Sequence, residues 1–468
     1  MRNRELEQEP GTWNCERHAE ERGNRNQALL VFMRVPYTKT TLDNGLDVIV
    51  HVDRGCPIVA VNVWYHVGSK NERPGRTGFA HLFEHLMFEG SQHHDRGYFQ
   101  PLQQAGGALN GSTNTDRTNY WEVVPTNALE LALWMESDRM AYLLPALTEE
   151  KFQNQRDVVL NERRQNYENR PYGLASVALM GALYAPDHPY HWVTIGAPED
   201  LRAASLADVR AFFETYYHPG NASLTLAGDV EVDQAVDLAR RYFEEIPSAA
   251  PSPPVSPPAL QPRTEDLRLV MEDRVELPRL YLAWRTPPLF APGDAELDLT
   301  AEILAGSKAS RLYRTLVHDR QIATDVSAAQ GSRELSSTFT IVATAAPGRT
   351  LAELDEAITA ELDRLCTGGP EPRDLERSLA QVEADFVYRL QTVGGFGGKS
   401  DQLNAYNVFV GDPGYFEQDL SRFRGTSIHA VRRVAAGELD KRVRVALSVV
   451  PYGRSALALG GSTMADAR

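Results

Sequence analysis

Two histidines four residues apart, with a glutamate between them, are the strongest chemical signal in the chain: His81, Glu84 and His85. Residues four apart on a helix sit one above the other, so both imidazoles can reach a single ion, and neutral imidazole suits zinc. Glu84 then lies beside that ion, where a general base belongs. The flanking residues fit a helix with two opposite faces. Phe79, Leu82, Phe83, Leu86 and Met87 recur at the spacing of a buried stripe, which leaves His81, Glu84 and His85 on the other side. Thr77 as N-cap and Gly90 as glycine stop predict three helical turns. A catalytic zinc needs a third protein ligand and an open position for water, so the two histidines alone make an incomplete site.

The helical stretch from Thr148 to Tyr167 offers Glu162, in the phrase Val158-Val-Leu-Asn-Glu-Arg-Arg164, with 76 residues between it and His85. His-x-x-Glu-His followed by Glu at this interval resembles the pitrilysin/insulinase family of inverted zinc metallopeptidases. Gly78-x-Ala-His, Phe88-Glu-Gly90, the run from Gly106 to Tyr120 and Ala227-Gly-Asp229 extend the resemblance over most of residues 38–245. It implies that His81, His85 and Glu162 hold Zn2+. Zinc would lower the pKa of its water, with Glu84 accepting the proton and returning it to the leaving amine. It further implies that Asn110, Gly111, Ser112 and Thr113 lie on an edge strand to which an extended peptide substrate adds as another strand. Main-chain pairing leaves side-chain choice to pockets, so broad specificity for unfolded peptides is expected. One departure concerns the surroundings of the metal: Gln155 stands where the family usually has a second Glu. A neutral amide can still orient a ligand or water, so altered metal affinity or pH dependence is the expected consequence.

Family members that complete their own site carry, after Ser-Arg-Leu, an Arg and a Tyr seven residues apart that bind the substrate carbonyl. Here the frame runs from Ser310 to Asp325, but the two positions hold Val317 and Thr324. Neither replaces a guanidinium or a phenol as donor. The chain therefore resembles the zinc-carrying (beta-type) subunit of two-chain members such as the mitochondrial processing peptidase. That likeness implies a heterodimer whose homologous, non-zinc subunit supplies the pair. Two other classes compete with a peptidase subunit: a structural core subunit of a larger complex, and a module that binds peptides without cutting them.

These residues need elements to hold them. At 468 residues the chain exceeds what one core of ~250 residues accommodates. The proline-rich stretch 246–266 reads as a semi-rigid linker. It separates a zinc-binding catalytic domain (38–245) from a second homologous domain (267–455), with a polar extension (1–37) and a tail (456–468) outside them. Each half opens with β-branched or alternating runs, Leu46 to Val52 and Ile58 to Val67, then Leu267 to Met271 and Leu280 to Trp284, followed by long helical patterns. The fold class expected is α+β, two homologous domains each made of a sheet covered by helices on one face.

Hydrophobic residues at 42% and charged ones at 24% describe a globular, soluble chain. A formal charge of -15 disfavours nucleic acid and fits basic or neutral partners. No run approaches the ~20 apolar residues of a membrane span. Ala28 to Met33 is short, late and without a cleavage pattern, which favours the cytoplasm over the periplasm. Cys15, Cys56 and Cys366 form no pairing pattern. Gly398-Lys-Ser400 lacks the earlier glycine of a phosphate loop, Val393 standing there, and the run Gly394 to Gly398 reads as a flexible turn, with lining of the substrate entrance as the less favoured alternative.

Overall fold

A computed structural model of the chain describes residues 34–466. Cys15, the Ala28 to Met33 segment and the last two residues of the tail lie outside them. Two six-stranded sheets form the frame. The first contains β1 (Thr38–Thr41), β2 (Asp47–Val52), β3 (Ile58–Tyr65), β4 (Ala108–Thr113), β5 (Thr118–Pro125) and β6 (Ala222–Gly228) in the order β1-β2-β6-β3-β5-β4. The second contains β7 (Leu267–Asp273), β8 (Arg279–Thr286), β9 (Ala323–Gly331), β10 (Ser337–Ala345), β11 (Val445–Pro451) and β12 (Thr463–Met464) in the order β12-β7-β11-β8-β10-β9. Both contain a matching parallel pair, β2 with β6 and β7 with β11, followed by an antiparallel series ending on β4 or β9, while the outer strands differ: β1 runs antiparallel to β2 and β12 parallel to β7. The faint repeat in the sequence is thus a repeat of topology, and the α+β expectation holds. The four strands read from β-branched runs are β2, β3, β7 and β8. Between Phe243 and Leu267, across the proline-rich stretch, there is no helix or strand.

The sequence pattern left one face of each sheet unassigned, and the structure covers it by exchange. The helix Lys399–Val410, from the second half, lies on β6 and β3 of the first sheet. The helix Ala175–Leu183, from the first half, lies on β11 and β8 of the second, where Ala175, Ala178 and Leu179 pack with Ala283, Leu447 and Val449. Strands covered on both faces cannot alternate between apolar and polar, which is why every residue of β6 and all but Ile58 of β3 are buried. On the exchanged face of the first sheet the burial is polar and hydrogen-bonded. Asn404 Oδ1 accepts from Ser223 and Thr225 at 2.8 Å each, and Asp401 Oδ1 accepts from Trp64 Nε1 at 2.9 Å and Asn119 Nδ2 at 3.0 Å. Buried polar groups are tolerable only when paired in this way.

Lys399, from the rejected phosphate-loop phrase, pairs with Asp53 and so serves this junction. The adjoining Gly394 to Gly398 turn packs on the first sheet, with Phe396 edge-on to Trp121 at 5.4 Å.

A second junction is ionic. Lys70, 2% exposed, donates to Glu334 of the second half at 2.5 Å, and His66 bonds the same carboxylate at 2.8 Å. Burial alone would raise the pKa of Glu334, but the His66 bond and the Lys70 charge override it and hold it at about 2. A carboxyl whose folded pKa is depressed stabilises the fold above its ordinary 4.5, and that contribution is lost as pH falls toward about 2. Glu334→Gln is therefore expected to cost on the order of 1–2 kcal/mol at pH 7, discounted because Glu334 is partly exposed. The gap to the wild type should close between pH 4.5 and 2; denaturant titrations across pH test it, and a pH-independent gap would contradict the assignment.

Candidate metal centre

The histidine helix spans Phe79–Leu86 and buries Phe79, Leu82, Phe83 and Leu86, as its stripe requires. Met87 is buried just beyond it. Its ends differ from the sequence expectation. Gly78, at φ +88°, is the N-cap, and Thr77 sits one residue too early. The Thr77 hydroxyl instead donates to Asp200 at 2.6 Å and accepts from Ala197 N at 2.8 Å. The capping role falls to a residue that sequence reading missed: the buried Glu72 carboxylate accepts from Gly78 N at 2.9 Å and Ala80 N at 2.8 Å. Gly78 also tolerates no side chain, since a Cβ there would lie 2.9 Å from Ile195 O. At the other end the helix stops at Leu86, in two turns rather than three. Phe88 N and Glu89 N bond three residues back, to His85 O and Leu86 O, and tighten the chain before Gly90.

Glu162 comes from the last turn of the helix Glu149–Arg163, which Thr148 caps by accepting from Lys151 N. Its Oε2 lies 3.6 Å from His81 Nε2 and 3.4 Å from His85 Nε2. These three are the metal-capable cluster found among the described residues, with ligand atoms all within 4.8 Å of one another. Ligand bonds of ~2.0–2.1 Å in a tetrahedron put donor atoms ~3.4 Å apart, so this set fits zinc. The two imidazoles cross at 84° with centroids 4.9 Å apart. Burial, and then the charge of His85, push His81 down to about 4, which keeps it neutral and able to ligate at neutral pH. Burial opposes protonation of His85 too, but its bond to Glu162 wins and its pKa is raised. Glu162 is held low, first by that His85 bond.

Glu84 lies on the same face, just under one turn from His81. Burial raises its pKa from the ordinary value, against a lowering hydrogen bond from Thr113. Thr113 is the last residue of β4, which stands at the edge of its sheet, so Asn110, Gly111, Ser112 and Thr113 all lie on an edge strand. The strand is pinned to the histidine helix region at Gly111, where a Cβ would come within 3.1 Å of the Phe88 ring. Arg117 occupies Ser112 O at 2.8 Å, which takes one backbone acceptor of the strand. Gln155 donates to Glu89 Oε1 and reaches His85. Glu89, on the turn after the histidine helix, thus brings a carboxylate to the neighbourhood that Gln155 leaves neutral.

A cavity of about 690 Å³ opens beside His81, Glu162 and Thr113. Its walls are completed by Asn166 and Tyr167, by Arg170 to Gly173, by Ala175 and Ser176, by Thr194 and Ile195, and by Arg279 and Tyr281 on β8 of the second half. The last two carried no signal in the sequence beyond membership of a strand. Val317 and Thr324 are not among the lining residues. Val317 is half-buried against the second core, and the Thr324 hydroxyl donates to Asp325 at 3.0 Å.

Two sheets that exchange covering helices carry a His-His-Glu cluster beside an edge strand, an arrangement compatible with a metallopeptidase. Residues 48–187 match the family model "Insulinase (Peptidase family M16)" and residues 203–382 match "Peptidase M16 inactive domain". The chain belongs to the insulinase, or M16, peptidase family. It is 29% identical over 388 residues to "Zinc protease PqqE" of Helicobacter pylori, covering 82% of this chain and 87% of that one. It is 25% identical over 223 residues to "Probable mitochondrial-processing peptidase subunit beta, mitochondrial" of Arabidopsis thaliana, covering 46% and 40% of the two. The crystal structure of a protease from Helicobacter pylori superposes with a TM-score of 0.82 at 26% identity, covering 89% of this chain and all of that one. Among the described residues no helix is long and apolar enough to cross a membrane.

Proposed function

We propose that this chain is the zinc-carrying subunit of a metalloendopeptidase that cleaves extended peptides. The observation that carries the reading is the convergence of His81, His85 and Glu162 within 4.8 Å, with Glu84 turned toward the edge strand through Thr113. Zinc bound there supplies a more acidic water and a polarised substrate carbonyl. Glu84, its pKa raised by burial, accepts a proton at its carboxylate and returns it to the leaving amide nitrogen. Strand β4 aligns the peptide main chain, and the flanking cavity receives its side chains.

With Val317 and Thr324 in the second half, a homologous non-zinc partner supplies the Arg and Tyr that clamp the carbonyl. Loss of one oxyanion donor costs ~10²–10³ in rate, so the isolated chain is expected to be at least ~100-fold less active than the pair. The test is co-purification from the native source and a peptidase assay with and without the recovered partner. Full activity of the chain as a monomer would sink the heterodimer. A chain without stoichiometric zinc would return the reading to a structural or peptide-binding subunit.

A further inference from the structure

The net charge of -15 suggests an acidic chamber, yet the cavity beside the histidines is built otherwise. Among the described residues its only lining carboxylate is Glu162, which faces His81 and His85. The other charged groups on its wall are Arg170 and Arg279. Arg279 and Tyr281 are two apart on β8 and therefore share a face of that strand. The Arg279 guanidinium lies over the Tyr172 ring at 3.7 Å, and its Nε donates to Thr344 Oγ1 at 2.8 Å. These contacts fix the cation without neutralising it. Among the described residues no carboxylate comes within 4.0 Å of its nitrogens. Asp273 and Asp325, whose charges reach Tyr172 and Tyr281, are engaged elsewhere. Asp273 accepts from Tyr172 N at 2.7 Å and Arg274 N at 2.6 Å, and Asp325 from Thr324 at 3.0 Å and Thr344 at 3.2 Å.

Thr113, where β4 ends, opens onto the same cavity as Arg279. A peptide laid along β4 and past His81 runs on into this space. A planar guanidinium held in place by an aromatic face is suited to a carboxylate. We propose that Arg279, with Tyr281 beside it, is a specificity-determining subsite that binds a carboxylate of the peptide, either an acidic side chain or the chain terminus. The proposal rests on the peptidase reading and gives it a substrate class: peptides with a negative charge displaced from the scissile bond.

The test uses the full chain, zinc-loaded and carrying Glu84→Gln so that bound peptide stays intact. Affinities are measured by fluorescence anisotropy for matched short peptides, internal Glu against Gln and free C-terminus against amide. One acid form is expected to bind about tenfold more tightly than its neutral match, and which pair shows the difference identifies the carboxylate. Adding Arg279→Gln should bring the acid form down to the neutral one and leave the neutral one unchanged. Arg279→Lys should keep part of the preference, and Arg279→Glu should reverse it. Melting curves and zinc content of each variant verify the fold. Equal affinities in the parent protein, a preference untouched by Arg279→Gln, or no binding of any peptide overturns the subsite. Acid-preferring binding by an assembled wild-type pair that hydrolyses nothing would overturn the peptidase reading and leave the subsite standing.

Discussion

Glu84→Gln in the zinc-loaded, partner-assembled protein is expected to lower peptide hydrolysis by about 10²–10⁴-fold while zinc content and melting temperature stay near wild type. General base catalysis contributes ~10²–10⁴, and Gln keeps the size and hydrogen bonding of Glu but cannot accept the proton. Separation of the two readouts follows from the geometry. Glu84 is on the helix face that carries His81 and His85, yet the convergent ligand set consists of those two histidines and Glu162. The proposed mechanism therefore divides metal binding and proton transfer between different side chains. Steady-state kinetics together with metal analysis decide it. Wild-type turnover in Glu84→Gln would remove Glu84 from the chemistry, and loss of zinc would recast it as a ligand.

The second large effect is expected from Glu162. Glu162→Ala should abolish stoichiometric zinc at concentrations that saturate the wild type, and activity with it. In the proposed site the carboxylate is one of three protein ligands, and its Oε2 sits within 3.6 Å of both imidazole nitrogens, a position that no other described acid shares in the metal-capable cluster. Gln155→Ala is the internal comparison. Gln155 touches Glu89 and His85 from outside the ligand set, so its loss should weaken zinc by ~10–100-fold, the range for residues that orient ligands. Because bound metal stabilises the native state in proportion to the logarithm of its saturation, zinc-dependent melting shifts rank the three proteins. Equal shifts for Glu162→Ala and wild type would show that the metal binds elsewhere.

Much of this site is legible in one dimension because its parts are local. The apolar stripe from Phe79 to Met87 and the opposed His81, Glu84 and His85 follow from helical periodicity alone, and the stripe is buried as read. The ends of the same helix were not legible. A threonine near a helix start is a good cap on average, but Glu72 supplies the carboxylate here and Thr77 is drawn to Asp200, both decided by loops that converge in space. The covered faces of the sheets were equally hidden. Nothing in the sequence marks Ser223, Thr225 and Asn62 as buried, and only the helix Lys399–Val410 laid across them explains their burial.

The sequence by itself named the candidate donor set and base, and it carried the family resemblance, the two-half plan and the absence of Arg and Tyr at Val317 and Thr324. These depend on residue identity, short-range periodicity and a fixed interval. Only the tertiary structure decided that Glu162 meets the histidines, that Glu89 stands beside Gln155, and that Arg279 and Tyr281 of the second half wall the cavity of the first. Such meetings are set by how two sheets exchange helices across a shared core. That packing sums many weak contacts between residues far apart in the chain, and no local pattern encodes it.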